Sequence, residues 1–216
     1  MGFPASFVPT QRAVHAVAEH VLCVVRYAAE QHVGLEATAD GVATPPLDGR
    51  VVAVRGAELV DYTASAERRR PLTTLRDAGE FVGILPGAPA LWTPVTPLDL
   101  DASLAVDPSS VAALADWYGR VGAALAVVAP DARPTLWPEH FDLAITVDDV
   151  TFGGSAGDEY HELPYAYVSL AADRRPNGTF WNAPFGAALR HEQIAETSDI
   201  AAFFTDAATR LGLTSA

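Results

Sequence analysis

Two histidines and seven carboxylates surround a glycine-rich segment in the second half of the chain. The segment reads GGSAG at residues 153–157, and His140 and His161 lie on either side of it, each beside acidic residues. A histidine next to a carboxylate can act as a general base, and two such sets can bind a divalent metal through nitrogen and oxygen. If the strands before and after GGSAG pair as a hairpin, the two sets come close together.

This crowding of carboxylates, imidazoles and rings predicts a small-molecule pocket built from residues 137–186. The proposed catalytic group is His140 as base, with Glu139 and Asp142 as carboxylates that could orient it. The proposed substrate-binding residues are Trp137, Ser155, Asp158, His161, Tyr165, Trp181 and Asn182. The alternative is a solvated acidic rim in which the aromatic rings fill a core.

The GGSAG segment matches the G-x-S-x-G nucleophile elbow, in which a strand turns sharply into a helix. Here the segment leads to Pro164 and a strand-like PYAYV instead of a helix. We therefore expect a glycine-rich loop and no serine hydrolase. Hydrolysis or isomerisation at a histidine–carboxylate pair is the favoured activity. A non-catalytic ligand-binding or protein-interaction module and a metal-dependent enzyme stay open as alternatives.

Composition excludes several classes of function. The net charge of −13 argues against nucleic acid and anionic membrane surfaces as partners. All 14 basic residues are arginine, which excludes Schiff-base chemistry and a Walker A loop. No ligand spacing such as HExxH is present, so we assign no metal and no cofactor. We expect a cytoplasmic protein without a membrane span, and a homo-oligomer stays open.

Single residues outside the predicted pocket have less specific interpretations. Cys23 lies in the apolar run VLCVV, which predicts a buried thiol. His15 and His20 are assigned surface or capping roles, with a third ligand of the predicted site as the alternative for His15 if it faces the sheet. His191 has no informative neighbours. The basic run at residues 68–70 is expected to form a solvated turn.

The order of elements predicts an α+β fold with antiparallel sheet and about four helices, arranged as two helix-plus-strands halves. We expect one domain over residues 1–216, with any subdomain break near residues 83–106. Predicted helices cover residues 10–27 with Thr10 as N-cap, 72–82 with Thr73 or Thr74 as cap, 108–128 after Asp107, and Ser198 or Asp199 to Leu211 with Gly212 just beyond. Predicted strands cover residues 32–38, 41–44, 51–54, 58–63, 136–147, 150–152 and 164–170. The strands after the first helix are expected to form a meander with a hairpin at Asp40-Gly41, and Tyr165 and Tyr167 are expected to share one strand face.

Several motifs resemble those of a group of actinobacterial proteins of unknown function. The matching pieces are HAVAEHVL, HVGLEAT and TPPLDGR in the first half, and LWPEHFDLA, GGSAGD, LPYAYV and FWNAPFG in the second. The resemblance covers most of the chain and implies no activity. In that group the glycine segment looks like G-x-S-P-G-D, with proline at the position of Ala156. In the same group an acidic residue usually precedes the proline that begins PYAYV, and this chain has Leu163 at that position, before Pro164.

Overall fold

A computed structural model describes residues 2–213, which fall into two compact units. The N-terminal unit comprises residues 2–116 and 136–141, and the C-terminal unit comprises residues 117–135 and 142–213. One boundary between the two units lies within helix α4 (Pro108–Val128). The single domain expected over residues 1–216, with any subdomain break near residues 83–106, stays a prediction. Antiparallel sheets combined with helices make the chain an α+β protein, as predicted.

The first helix of the N-terminal unit is continuous but contains a π-helical segment. The predicted helix over residues 10–27 is confirmed, whereas its predicted N-cap is wrong. The helix begins at Phe7 after Ser6, and Thr10 is buried one turn further on. The three parts are α1 (Phe7–Val17), a π segment (Ala18–Leu22) and α2 (Cys23–Glu30). Cys23 is buried, as expected, and burial raises the pKa of its thiol to about 12.

The first sheet is a five-stranded antiparallel meander with the order β1-β2-β3-β4-β5. Its strands are β1 (Glu36–Thr38), β2 (Gly41–Ala43), β3 (Val51–Arg55), β4 (Glu58–Tyr62) and β5 (Glu67–Pro71). The predicted meander is confirmed, including the hairpin at Asp40-Gly41. The turn expected at residues 68–70 is wrong, because these arginines form β5. Arg68 donates to the buried carboxylate of Asp61 on the neighbouring strand, which helps to hold this edge.

Two helices begin at caps that the sequence predicts. Helix α3 (Leu75–Val82) follows Thr74, whose hydroxyl accepts a hydrogen bond from a first-turn N–H. Helix α4 follows Asp107, whose carboxylate accepts from Ser109 N at 2.7 Å. Such side-chain acceptors satisfy the N–H groups that a helix start leaves without partners.

Helix α4 is long and apolar enough to cross a membrane, judged by length and composition alone. In the structure, 44% of its most apolar window is buried. A core helix passes the same test, so one such helix is weak evidence for a membrane span. The expectation that no segment spans a membrane stays a prediction.

The second sheet is also antiparallel, with the order β10-β9-β8-β7-β6. Its strands are β6 (Thr135–Trp137), β7 (Asp142–Val147), β8 (Val150–Ser155), β9 (Tyr165–Ser169) and β10 (Gly186–Arg190). The single strand predicted over residues 136–147 is wrong, because the left-handed backbone of Phe141 (φ 51°) interrupts it. Strand β10, whose residues are mostly small, was not predicted from the sequence.

Helices cover one face of this sheet in the C-terminal unit. Phe152 of β8 packs edge-on against Phe204 of helix α5 (Thr197–Leu211), with ring centroids 5.8 Å apart. Gly154 faces Val121 of α4 so closely that a Cβ would lie 2.4 Å from Val121 Cγ2. The opposite face therefore presents the side chains of alternate positions, such as Tyr165 and Tyr167 on β9.

Helix α5 is confirmed, but its predicted cap is misplaced. Glu196 is the N-cap, and Asp199 completes a reciprocal capping box from the third helical position. Gly212 (φ 67°) ends the helix, as predicted.

Candidate functional site

The GGSAG segment is mostly strand and not a loop. Gly153, Gly154 and Ser155 belong to β8, and the next regular element is strand β9. The Ser155 hydroxyl accepts from Gly157 N at 3.1 Å and donates to Asp158 at 3.4 Å. The prediction of a glycine loop at residues 153–157 is therefore wrong, because the turn begins only after Ser155. The Ser155 hydroxyl stabilises this turn. The absence of a helix after this turn agrees with the rejected nucleophile elbow.

Gly153 makes room for a tyrosine on the sheet face opposite the helices. A Cβ at this position would lie 2.8 Å from Cζ of Tyr167 and 2.9 Å from Cβ of Ala144. The Tyr167 ring therefore lies directly on the strand backbone. Its hydroxyl donates to Asp142 through a short hydrogen bond.

Asp158 organises the turn that leads into β9. One carboxylate oxygen accepts from Tyr160 N at 2.8 Å and His161 N at 3.2 Å. The other accepts from the Tyr165 hydroxyl at 2.6 Å. An aspartate that bonds the backbone two and three residues ahead is typical of a tight turn. Asp158 thus positions both the turn and a buried phenol.

The two phenols on β9 keep their protons at neutral pH. Burial raises the pKa of Tyr165, and the hydrogen bond to Asp158 raises it further. Burial likewise raises the pKa of Tyr167, with the charge of Asp142 as the next cause. Both groups are therefore hydrogen-bond donors and not nucleophiles.

Four rings form an aromatic cluster on this sheet face. The cluster consists of Tyr160, Tyr165, Tyr167 and Phe185. Centroid separations run from 5.0 Å for Tyr160–Phe185 to 6.2 Å for Tyr165–Phe185. Tyr165 is 3% exposed, whereas the other three rings are half-buried. The predicted shared face of Tyr165 and Tyr167 is confirmed.

His161 and His191 lie together at one edge of the aromatic cluster. Their ring centroids are 6.0 Å apart, and His161 is 6.2 Å from the Tyr165 ring. Glu192 lies beside both, at 3.2 Å from His191 Nδ1 and 3.6 Å from His161 Nε2. His161 was a predicted site residue, whereas the expectation that His191 has no informative neighbours is wrong. Burial lowers the pKa of His191 and favours its neutral form.

The pairing of β9 with β10 creates this group. Arg190 is the register partner of Tyr165, and His191 N donates to Pro164 O at 3.1 Å, one step beyond the strands. The only local sequence signal for this group was that His191 and Glu192 are adjacent. Their proximity to His161 depends on strand β10, which the sequence pattern did not indicate.

Trp181 and Asn182 have contacts of their own outside the aromatic cluster. The Asn182 side chain accepts from Ala188 N at 2.8 Å and donates to Ala188 O at 3.0 Å, so its amide completes the edge of β10. Trp181 packs edge-on against Phe180 at 4.9 Å, and Phe180 stacks on Phe203 of α5 at 5.4 Å. These contacts account for both residues through packing, and their predicted ligand contacts stay untested.

Three predicted site residues belong to the N-terminal unit. Trp137 is half-buried with its ring 6.3 Å from that of His32, and Glu139 is half-buried. His140 is exposed, and within residues 2–116 and 136–141 its imidazole makes no hydrogen bond. The predicted convergence of His140 with His161 stays a prediction.

A buried polar network in the N-terminal unit was missed. The Glu19 carboxylate, on the π segment, is 0% exposed and accepts from Trp92 Nε1, Val95 N, Thr96 N and Thr96 Oγ1 at 2.6–3.0 Å. Burial opposes its ionisation, but the hydrogen bonds from Thr96 and Trp92 outweigh burial and lower the pKa of Glu19. The network holds the segment at residues 83–97 against the helix.

The histidines of the first helix are structural. His20 Nδ1 accepts from Ala88 N at 3.2 Å, so its proton is on Nε2, which donates to Thr96 O at 3.0 Å. His15 lies 2.8 Å from Pro138 O, and burial lowers its pKa to about 4. The surface and capping roles expected for His15 and His20 are wrong, since the residues are 7% and 0% exposed.

The C-terminal unit therefore brings together aromatic rings, protonated phenols and two imidazoles, and the shielded Nε2 of His161 has no hydrogen-bond partner among residues 2–213. Comparisons with protein-family models, with curated proteins and with solved structures found no match to this chain.

Proposed function

We propose that the chain binds a small organic molecule at the aromatic cluster. The observation that carries the proposal is a set of three half-buried rings around a buried phenol on the sheet face opposite the helices. Exposed aromatic surface of this kind, edged by polar groups, is typical of ligand-binding sites. Rings that served only to fill the hydrophobic core would not need to remain in contact with solvent.

The polar groups around the aromatic cluster suggest the chemistry of the ligand. Arg190 lies with its guanidinium carbon 6.0 Å from the Tyr160 ring centroid, and the two imidazoles border Tyr165. A flat or apolar body would stack on Tyr160 and Phe185, while a polar end would reach Arg190 or His161. We therefore favour a ligand with an aromatic or aliphatic body and an anionic or neutral polar end.

Catalysis is a separate part of the proposal. The sequence favours hydrolysis or isomerisation with His140 as the base and Glu139 or Asp142 as the orienting carboxylate. His140 has no orienting hydrogen bond within its unit, so the geometry supports binding more strongly than turnover. We likewise propose, from the sequence alone, that the protein is cytoplasmic and that it is related to the actinobacterial group it resembles.

A thermal-shift screen with two matched variants tests the binding proposal. Ligands that bind the native state raise its melting temperature. Phe185→Ala removes a ring of the aromatic cluster, and Phe203→Ala removes an equally half-buried ring that stacks on Phe180 instead. We expect the best hit of a metabolite library to bind Phe185→Ala at least about tenfold more weakly, a loss of roughly 1.4 kcal/mol, and Phe203→Ala as well as wild type.

Equal affinity of the hit for the three proteins would overturn this proposal, and so would a screen without hits. If Phe185→Ala instead converts a dimer to a monomer in light scattering, the aromatic cluster is a protein-interaction surface, and the alternative of an interaction module replaces ligand binding.

A further inference from the structure

Two imidazoles and a carboxylate converge at the open end of the β9–β10 pair. His161 lies in the turn before β9, and His191 and Glu192 directly follow β10. The hydrogen bond from His191 N to Pro164 O continues the ladder past the strand ends. The backbone thus holds the three side chains together independently of any interaction between them.

The distances are close to those of a metal site. One ligand atom from each residue can be chosen so that all three lie within 4.8 Å of one another. Tetrahedral coordination with bonds of roughly 2.1 Å places ligand atoms roughly 3.4 Å apart. His191 Nδ1 lies 3.2 Å from Glu192 Oε2 and His161 Nε2 lies 3.6 Å from Glu192 Oε1, so each imidazole is near this spacing from one of the two carboxylate oxygens. The side chain of Glu192 is 54% exposed and can adjust, whereas the imidazoles are 19% and 13% exposed and held by the fold.

The environment of His161 also points to a missing partner. Its Nε2 atom is shielded from solvent and has no hydrogen-bond partner among residues 2–213. A buried polar nitrogen without a partner is costly, and an ion or a bound molecule commonly explains it. The 3.6 Å distance from His161 Nε2 to Glu192 Oε1 is too long for a hydrogen bond. It is close to the distance between two atoms that bind the same metal ion.

The donor set selects the kind of ion. Magnesium and calcium prefer oxygen ligands throughout, whereas two imidazole nitrogens with one carboxylate suit zinc and neighbouring transition metals. Three protein ligands leave a coordination position for water or substrate, as in catalytic rather than structural zinc sites. The carboxylate of Glu192 would offset one of the two positive charges of a divalent ion.

We infer that His161, His191 and Glu192 form a binding site for a divalent transition-metal ion, with Zn²⁺ as the preferred ion. The site borders Tyr165 of the aromatic cluster, the surface where we propose that organic ligands bind. The site does not depend on that proposal, since its three ligands are separate from Phe185 and Tyr160.

Calorimetric titration of chelator-treated, full-length protein with Zn²⁺ tests the inference. We expect about one ion per chain in wild type, and at least tenfold weaker binding in His161→Ala and His191→Ala. His32→Ala is the matched control, because His32 is exposed and belongs to the N-terminal unit; it should bind Zn²⁺ like wild type. Phe185→Ala should also keep Zn²⁺ affinity, which separates this test from that of the organic ligand.

Glu192→Gln provides a second test in case the histidine variants fail to fold. The Glu192 side chain is half exposed, so it can be changed without opening the core. Co²⁺ bound to wild type should give the visible absorption of a low-symmetry nitrogen–oxygen site, and Glu192→Gln should weaken Co²⁺ binding at least tenfold while keeping the circular dichroism spectrum. Less than about 0.3 Zn²⁺ per chain against the single ion expected for three ligands, or equal affinity in wild type, His161→Ala and Glu192→Gln, would overturn the inference.

Discussion

Each unit contains a histidine–glutamate group, and the two groups differ in how completely their polar atoms are satisfied. In the N-terminal unit, the Glu19 carboxylate accepts four hydrogen bonds, both nitrogens of His20 are hydrogen-bonded, and both residues are 0% exposed. In the C-terminal unit, His161 keeps a shielded nitrogen without a partner, and Glu192 is half exposed. A group whose polar atoms all have hydrogen-bond partners is typical of a structural anchor, whereas a shielded polar atom without a partner indicates that the group can bind a ligand.

The largest effect expected from this comparison is on stability in the N-terminal unit. Glu19→Ala leaves buried donors on Trp92, Val95 and Thr96 without an acceptor. We expect a loss of about 3 kcal/mol or more in the free energy of unfolding, measured by urea denaturation. Glu30→Ala is the control: the Glu30 side chain is 44% exposed, and its i,i+4 ion pair with Arg26 is worth at most about 0.5 kcal/mol. A change below about 1 kcal/mol for Glu19→Ala would show that the network is not an anchor.

The pH dependence of stability sharpens the structural assignment of His15. Its pKa falls from 6.5 to about 4 on folding, because burial penalises the charged imidazole. The unfolded chain then binds more protons below pH 6.5, so stability is complete above that pH and is lost as the pH falls toward 4. Between pH 6.5 and 5 the loss should reach roughly 2 kcal/mol.

His15→Gln should flatten the stability profile over this range, as followed by urea midpoints at several pH values. His32→Gln, at an exposed position, should leave the profile of wild type. An unchanged profile in His15→Gln would mean that His15 is not held neutral by the fold.

Close packing beneath the aromatic cluster gives a smaller expected effect. Gly153→Ala places a Cβ against the Tyr167 ring and Ala144, and overpacking of this kind costs about 1–3 kcal/mol. The displaced ring should also weaken binding of the screening hit. Gly119→Ala on α4 meets no atom within 4 Å and should be neutral or slightly stabilising in the same unfolding assay. Equal stability of the two variants would argue against the packing described for Tyr167.

The smallest effect on stability is expected at His140. His140→Ala removes an exposed imidazole without a hydrogen-bond partner in its unit, so the melting temperature should stay nearly unchanged. If His140 is the catalytic base, the same variant should abolish ligand turnover or binding. Destabilisation without a binding defect would make His140 structural and remove it from the proposed catalytic group.

Local sequence signals predicted much of the fold. Asp107-Pro108, Thr74 and Gly212 mark helix ends by chemistry that acts within one turn, and Asp40-Gly41 fixes a hairpin in the same way. Strand β10 was missed because its small residues carry no alternating pattern, and its existence depends on pairing with β9.

The site was predictable in part. Asp158, His161 and Tyr165 were proposed from their types and spacing, and the structure brings them together. His191 was missed because its neighbour is 30 positions away and meets it only through β10. Glu19 and His20 were missed because their partners come from the segment at residues 83–97, whose path no local pattern specifies.

Side-chain NMR of the histidines tests the central distinction most directly. The chain has six histidines, and the imidazole signals of each can be assigned by single substitutions and followed during titration with Zn²⁺. The account predicts that the His161 and His191 signals shift together and saturate at one equivalent, while those of His15 and His20 stay in place. Shifts at His15 and His20, or no shift at His161, would contradict it.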